Sequence, residues 1–135
     1  MQAAKAKNTR GMVLVVDDDP ISLEVAKEKL QAAGYDVEVR AQSLGTSEWI
    51  ALNEPDFVVL DVMMPALDGS ILATFLRQRG LTRKVGVILH SAKPAYELAR
   101  LSARVGALGA ISKTEDSGEF LQEFERLAAA HRARK

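Results

Sequence analysis

Cysteine is absent from the 135 residues, which excludes a disulfide, a thiolate metal site and a cysteine nucleophile. The two histidines, His90 and His131, stand far apart with no cluster around them, so neither a histidine zinc site nor a Ser-His-Asp triad is indicated. No apolar run approaches the roughly 18 residues a membrane span needs. The N-terminal MQAAKAKNTRG has basic residues with no apolar stretch behind them, unlike a secretory leader. A cytoplasmic location without membrane insertion is therefore expected. Net charge is also missing, since 18 basic and 18 acidic residues cancel. That balance gives no reason to expect direct contact with nucleic acid, and the terminal HRARK reads as a solvated helix end. Against these absences, 47% of the residues are hydrophobic, enough for an ordinary core, and the length suits one domain.

Along the chain, short apolar runs alternate with helical patterns. MVLVV (12–16) reads as a buried strand. Asp19-Pro20 then supplies a helix cap with proline at the first helical position. Leu23, Ala26, Leu30 and Ala33 follow at spacings of three and four, up to Gly34. YDVEV (35–39) alternates as a half-exposed edge strand does, and residues 43–53 suggest a helix around Leu44, Trp49, Ile50 and Leu52. FVVLDV (57–62) reads as a second buried strand and MMPALDG (63–69) as a loop. Ile71, Leu72, Phe75 and Leu76 stripe a third helix ending at Gly80, before the strand KVGVILHS (84–91). Tyr96, Leu98, Ala99, Leu101 and Val105 mark a fourth helix, LGAIS (108–112) a fifth strand, and Phe120, Leu121, Phe124, Leu127 and Ala128 a fifth helix. Five strands alternating with five helices predict an α/β domain, a parallel sheet wound on both faces.

In such a sheet ligands bind beyond the carboxyl ends of the strands. Those ends carry Asp17 and Asp18, then Asp61, Ser91 and Lys113. Three carboxylates on one rim repel one another. A hard divalent cation with oxygen ligands offsets that repulsion, and Mg²⁺ is the usual choice where waters and phosphate oxygens complete the shell, with Mn²⁺ as a substitute. Asp17 and Asp18 thus read as a metal pair and Asp19 as a helix cap.

The segments VLVVDDDP, DFVVLDVMMPALDG, VILHSA and GALGAISK, in this order from residue 11 to about 130, resemble the receiver domain of two-component response regulators. The resemblance implies a flavodoxin-like fold with strand order 2-1-3-4-5, a flexible arm at residues 1–10 and a receiver domain over 11–135. It implies that Asp61 accepts a phosphoryl group from a phosphohistidine on a histidine kinase or phosphotransfer protein. It further implies Mg²⁺ on Asp18, Asp61 and the Met63 backbone carbonyl, with Asp17 acting partly through a metal-bound water. Ser91 and Lys113 would contact the phosphate, and the side chains of Met63 and Lys93 would flank the hydrolytic water and set the phosphate's lifetime. The domain would be a phosphoacceptor that assists its own phosphoryl transfer and hydrolysis, not a turnover enzyme. It would signal to a downstream protein or output domain, with a homodimer through the face of the fourth helix, fifth strand and fifth helix as a further partner state.

Two positions depart from the family pattern. Ala110 stands where an aromatic is usual, which bears on switching, and Thr114 follows Lys113 where proline is usual. The missing aromatic keeps open an alternative, a receiver-like interaction module with weak or unused phosphorylation. A phosphohydrolase of the haloacid dehalogenase type would carry a second acid at position 63, which is methionine.

Overall fold

The computed structural model describes residues 9–42, 44–63, 74, 76–80, 84–113 and 117–134. Its sheet has five parallel strands: β1 (Met12–Val16), β2 (Asp36–Arg40), β3 (Phe57–Leu60), β4 (Gly86–Ser91) and β5 (Gly109–Ser112), in the order 2-1-3-4-5. The helices are α1 (Pro20–Ala32), α2 (Thr46–Asn53), α3, described at residue 74 and residues 76–78, α4 (Ala95–Val105) and α5 (Ser117–Ala133). The predicted alternation and strand order are both present. Outside the described residues lie the arm at 1–8, residues 64–70 of the predicted loop, Ile71, Leu72 and Phe75 of the third stripe, and Thr114.

The strands β1 and β3 are buried along their whole length, as central parallel strands covered on both sides must be. Alternate residues therefore feed two cores. On one face Leu14, Val16, Val58 and Leu60 meet Ile50 of α2, Leu76 of α3 and Leu98 of α4. On the other, Val13, Val15, Phe57 and Val59 meet Ala26 and Leu30 of α1 and Phe120, Phe124 and Leu127 of α5. The start of α1 follows the sequence reading: the Asp19 carboxylate accepts a hydrogen bond from the Ile21 amide at 3.0 Å, and Pro20 opens the helix.

Several predicted bounds shift. Helix α2 begins at Thr46, after Gly45 at φ +78°, because that left-handed residue interrupts helical geometry. Leu44 and Leu52, predicted on its apolar face, are instead exposed. On α4, Leu98, Leu101 and Val105 are buried, but Tyr96 and Ala99 face outward. At the amino-terminal pole of the sheet, Arg10 pairs with Glu125 of α5 at 2.6 Å, and Tyr35 donates to the same carboxylate at 3.0 Å. Arg132 completes this cluster, donating to the Tyr35 hydroxyl at 3.0 Å and to the Arg10 carbonyl at 3.2 Å.

Candidate functional site

At the opposite pole, where the strands end, the parallel register delivers the charged side chains to one rim. The Asp61 amide donates to the Val16 carbonyl at 2.9 Å, which places the residue after β3 beside the end of β1. The Lys113 amide donates to the Ser91 carbonyl at 2.7 Å, which ties the end of β5 to the end of β4. Asp17, Asp61 and Ser91 are buried, and Asp18 is exposed.

The Lys113 ammonium bridges the two buried acids, 2.7 Å from Asp17 Oδ2 and 3.1 Å from Asp61 Oδ2. The other oxygens are also engaged: Asp17 Oδ1 accepts from the Asp19 amide and Asp61 Oδ1 from the Met63 amide, both at 2.9 Å. Burial pushes the Asp17 carboxyl above the usual carboxylate range, although Lys113 pulls it the other way. For Lys113, burial acts downward, but the attraction of Asp17 and Asp61 outweighs it and the net direction is up. Lysine thus already offsets part of the repulsion that the sequence reading assigned to a divalent cation. The interaction crosses the sheet from β5 to β1, past two strands, so no local spacing announced it.

Asp17, Asp18 and Asp61 each present a ligand oxygen, all within 4.8 Å of one another. Three hard oxygen donors, one of them open to water, fit a small dication that keeps several waters. Ser91 Oγ accepts from the Lys93 amide at 3.4 Å. The Met63 side chain is exposed at the rim. Lys93 is half-buried, and its ammonium lies 3.9 Å from Glu97, a long exposed pair of little energetic weight.

Two residues at this end were not singled out from the sequence. His90 sits just before Ser91, its ring 4.8 Å from that of Phe120. Burial, with Lys113 nearby, lowers its pKa to about 4 and keeps it neutral. Ser112 Oγ donates to the Lys93 carbonyl at 3.3 Å and so pins the loop after Ser91 to β5. Adjacency to Ser91 and Lys113 was the only sequence signal for either.

A family model for the response regulator receiver domain matches residues 13–125. Response regulator MprA of Mycobacterium bovis (strain BCG / Pasteur 1173P2) is 36% identical over 127 residues, covering 81% of this chain and 55% of that protein. MprA of Mycobacterium sp. (strain KMS) is 46% identical over 68 residues, covering 50% of this chain and 30% of that protein. The chain thus spans less than two thirds of the curated relatives it matches. Among solved structures, the receiver domain of Francisella response regulator 1452 is 28% identical with a TM-score of 0.78, covering 90% of this chain and 98% of that one. Chemotaxis response regulator CheY4 of Vibrio cholerae, at 24% identity and a TM-score of 0.79 over 88% of this chain and 99% of that one, bears on the fold alone.

Proposed function

The chain belongs to the response regulator receiver domain family, and from that premise we propose that it is a phosphorylatable receiver in which Asp61 takes a phosphoryl group from a phosphohistidine of a histidine kinase or phosphotransfer protein. The observation that carries this reading is the Lys113 ammonium shared between Asp17 and Asp61 on a rim of three carboxylates. One Asp61 oxygen bonds to phosphorus as the phosphorus–nitrogen bond breaks, and the electron pair leaves with the histidine ring nitrogen. The Asp61 backbone is fixed by its hydrogen bond to Val16, so the attacking group is positioned before the donor arrives.

Once Asp61 carries the phosphoryl group, its oxygens compete for Lys113, which moves from the carboxylate to phosphate while Asp17 retains it on the other side. The Ser91 hydroxyl donates to a second phosphoryl oxygen after a small shift. Asp18, Asp61 and the Met63 carbonyl, with Asp17 beside them, would hold Mg²⁺ or Mn²⁺, which would supply positive charge against the transferring group. Met63, with its apolar side chain at the rim, and Lys93 shield the product from water and prolong its lifetime. The domain is a phosphoacceptor that assists its own phosphoryl transfer and hydrolysis, not a turnover enzyme. It works in the cytoplasm and signals to a downstream protein or output domain; no described helix is long and apolar enough to cross a membrane.

A second reading, an interaction module with weak or unused phosphorylation, is favoured by Ala110, a half-buried methyl on β5 with no ring to rearrange. Intact mass after incubation with acetyl phosphate and Mg²⁺ separates the two. One added phosphoryl group, removed by hydroxylamine and missing in Asp61→Asn, is the expected result. No gain in the wild type supports the second reading, and an equal gain in Asp61→Asn removes Asp61 from its role.

A further inference from the structure

Overall neutrality conceals a lopsided distribution. Between residues 77 and 104 the sequence places seven of its 18 basic residues and one acid, Glu97. The structure gathers part of this charge along α4, where Lys93, Glu97, Arg100, Leu101 and Arg104 line a groove of ≈ 330 Å³. Spacings of three and four put Glu97, Arg100 and Arg104 on one flank of the helix, and Lys93, in the loop just before its first turn, lines the same groove. At its carboxyl end Arg77 of α3 donates to the Arg104 carbonyl at 2.6 Å and brings a further guanidinium alongside. Arg100 and Arg104 are exposed, and no ion pair among the described residues engages either.

We propose that this flank of α4 is a docking groove for an acidic peptide segment of a partner protein, with acidic side chains on Arg100 and Arg104 and an apolar side chain against Leu101. Charge complementarity selects an acidic occupant. Leu101 is nearly buried at 9% exposure, so the groove offers an apolar floor beneath its cations. A polynucleotide backbone repeats negative charge at every step, whereas here Glu97 stands within the row of cations, 3.9 Å from Lys93. A peptide can leave a gap in its charge at that point. Arg100 and Arg104 lie one helical turn apart, ~6 Å along the axis, within reach of acids three or four residues apart on a helical segment or two apart on an extended one.

The test uses the unphosphorylated protein, so its outcome does not depend on phosphoryl transfer. The probe is a fluorescein-labelled peptide, Glu-Glu-Leu-Glu-Glu-Leu-Glu-Glu, followed by anisotropy and by amide chemical shifts. The expected result is saturable binding, weakened by salt, with shifts centred on residues 93–104. Arg100→Glu with Arg104→Glu should weaken it by about tenfold or more, since attraction becomes like-charge repulsion. Lys84→Glu, off the groove, should leave it unchanged, and replacing the peptide's leucines with serine should weaken it. Arg100→Gln serves if the double reversal does not fold. Absent binding, shifts centred elsewhere, or equal affinity in the charge variants would overturn the proposal. Tighter binding of an equally charged single-stranded oligonucleotide would overturn it in favour of nucleic acid, and capture by phosphatidylserine vesicles in preference to the peptide would do so in favour of a membrane surface.

Discussion

Removing the charge of Lys113 would leave Asp17, which burial already pushes toward protonation, without its nearest cation. The folded domain raises the Lys113 pKa above its ordinary 10.5. A raised folded-state pKa means that the native state holds the proton more tightly than the unfolded chain. The pairing therefore contributes its full stability below the ordinary value and loses it as pH rises through the higher one. In chelator-containing buffer, the midpoint of thermal unfolding should fall across the alkaline range in the wild type and fall less in Lys113→Met, where the buried Tyr35, its pKa also raised, still contributes. At neutral pH that variant should lose about 2 kcal/mol, less than for a wholly buried pair because Asp17 can take up a proton in compensation. An unchanged alkaline profile in Lys113→Met would show that the bridge contributes nothing. The acids, the hydroxyl and the lysine were all legible in the sequence because each ends an apolar run, and a parallel sheet delivers such ends to one rim. The resting partner of Lys113 was not, because a long side chain crossing two strands leaves no trace in spacing.

Individual elements depend on close approaches that a single methyl group would disturb. A Cβ on Gly109 of β5 would lie 2.7 Å from Leu127 Cδ2 on α5. Gly109→Ala should therefore destabilise by about 1–3 kcal/mol, the usual cost of overpacking, read as a lower urea midpoint at constant slope. The loop after Ser91 is a second sensitive element. Its Lys93 is held from both sides, by its own amide to Ser91 and by its carbonyl to Ser112, while Ala110 offers no side chain to rotate. Beryllofluoride, a phosphate mimic, should shift amide signals mainly over residues 91–97. Large shifts at residues 108–112 with 91–97 silent would place the rearrangement on β5. Periodicity identified these elements but misjudged their flanks. Tyr96 lies on the side of α4 opposite the buried Leu98, Leu101 and Val105 and is 67% exposed, and Gly45 moved the start of α2 through its backbone angle alone. Apolar character at a helix border does not decide burial; what the neighbouring strand leaves uncovered does.

For the molecule as a whole, a cation held by carboxylates from two strand ends, β1 and β3, would bind only the folded state and so would stabilise it by mass action. Raising Mg²⁺ should increase the unfolding temperature progressively, the stabilisation being ~2.7 kcal/mol at a hundred times the dissociation constant. Asp18→Ala should abolish that increase, and in metal-free buffer it should match or exceed the wild type because carboxylate repulsion is relieved. A full Mg²⁺ response in Asp18→Ala would remove Asp18 from the ligand set. The amino-terminal cluster has a different consequence. With the Arg10 carbonyl accepting from Arg132 at 3.2 Å, the backbone entering β1 and the last turns of α5 meet at the pole farthest from the acids. Between its first and last described residues, 9 and 134, the chain thus nearly returns to where it started. A polypeptide spliced onto either side of the join would set out from the same small area and leave the acidic rim uncovered. A short bridge across the join would let the sequence be rewritten to begin at some other exposed turn, with the order of residues changed and the architecture kept.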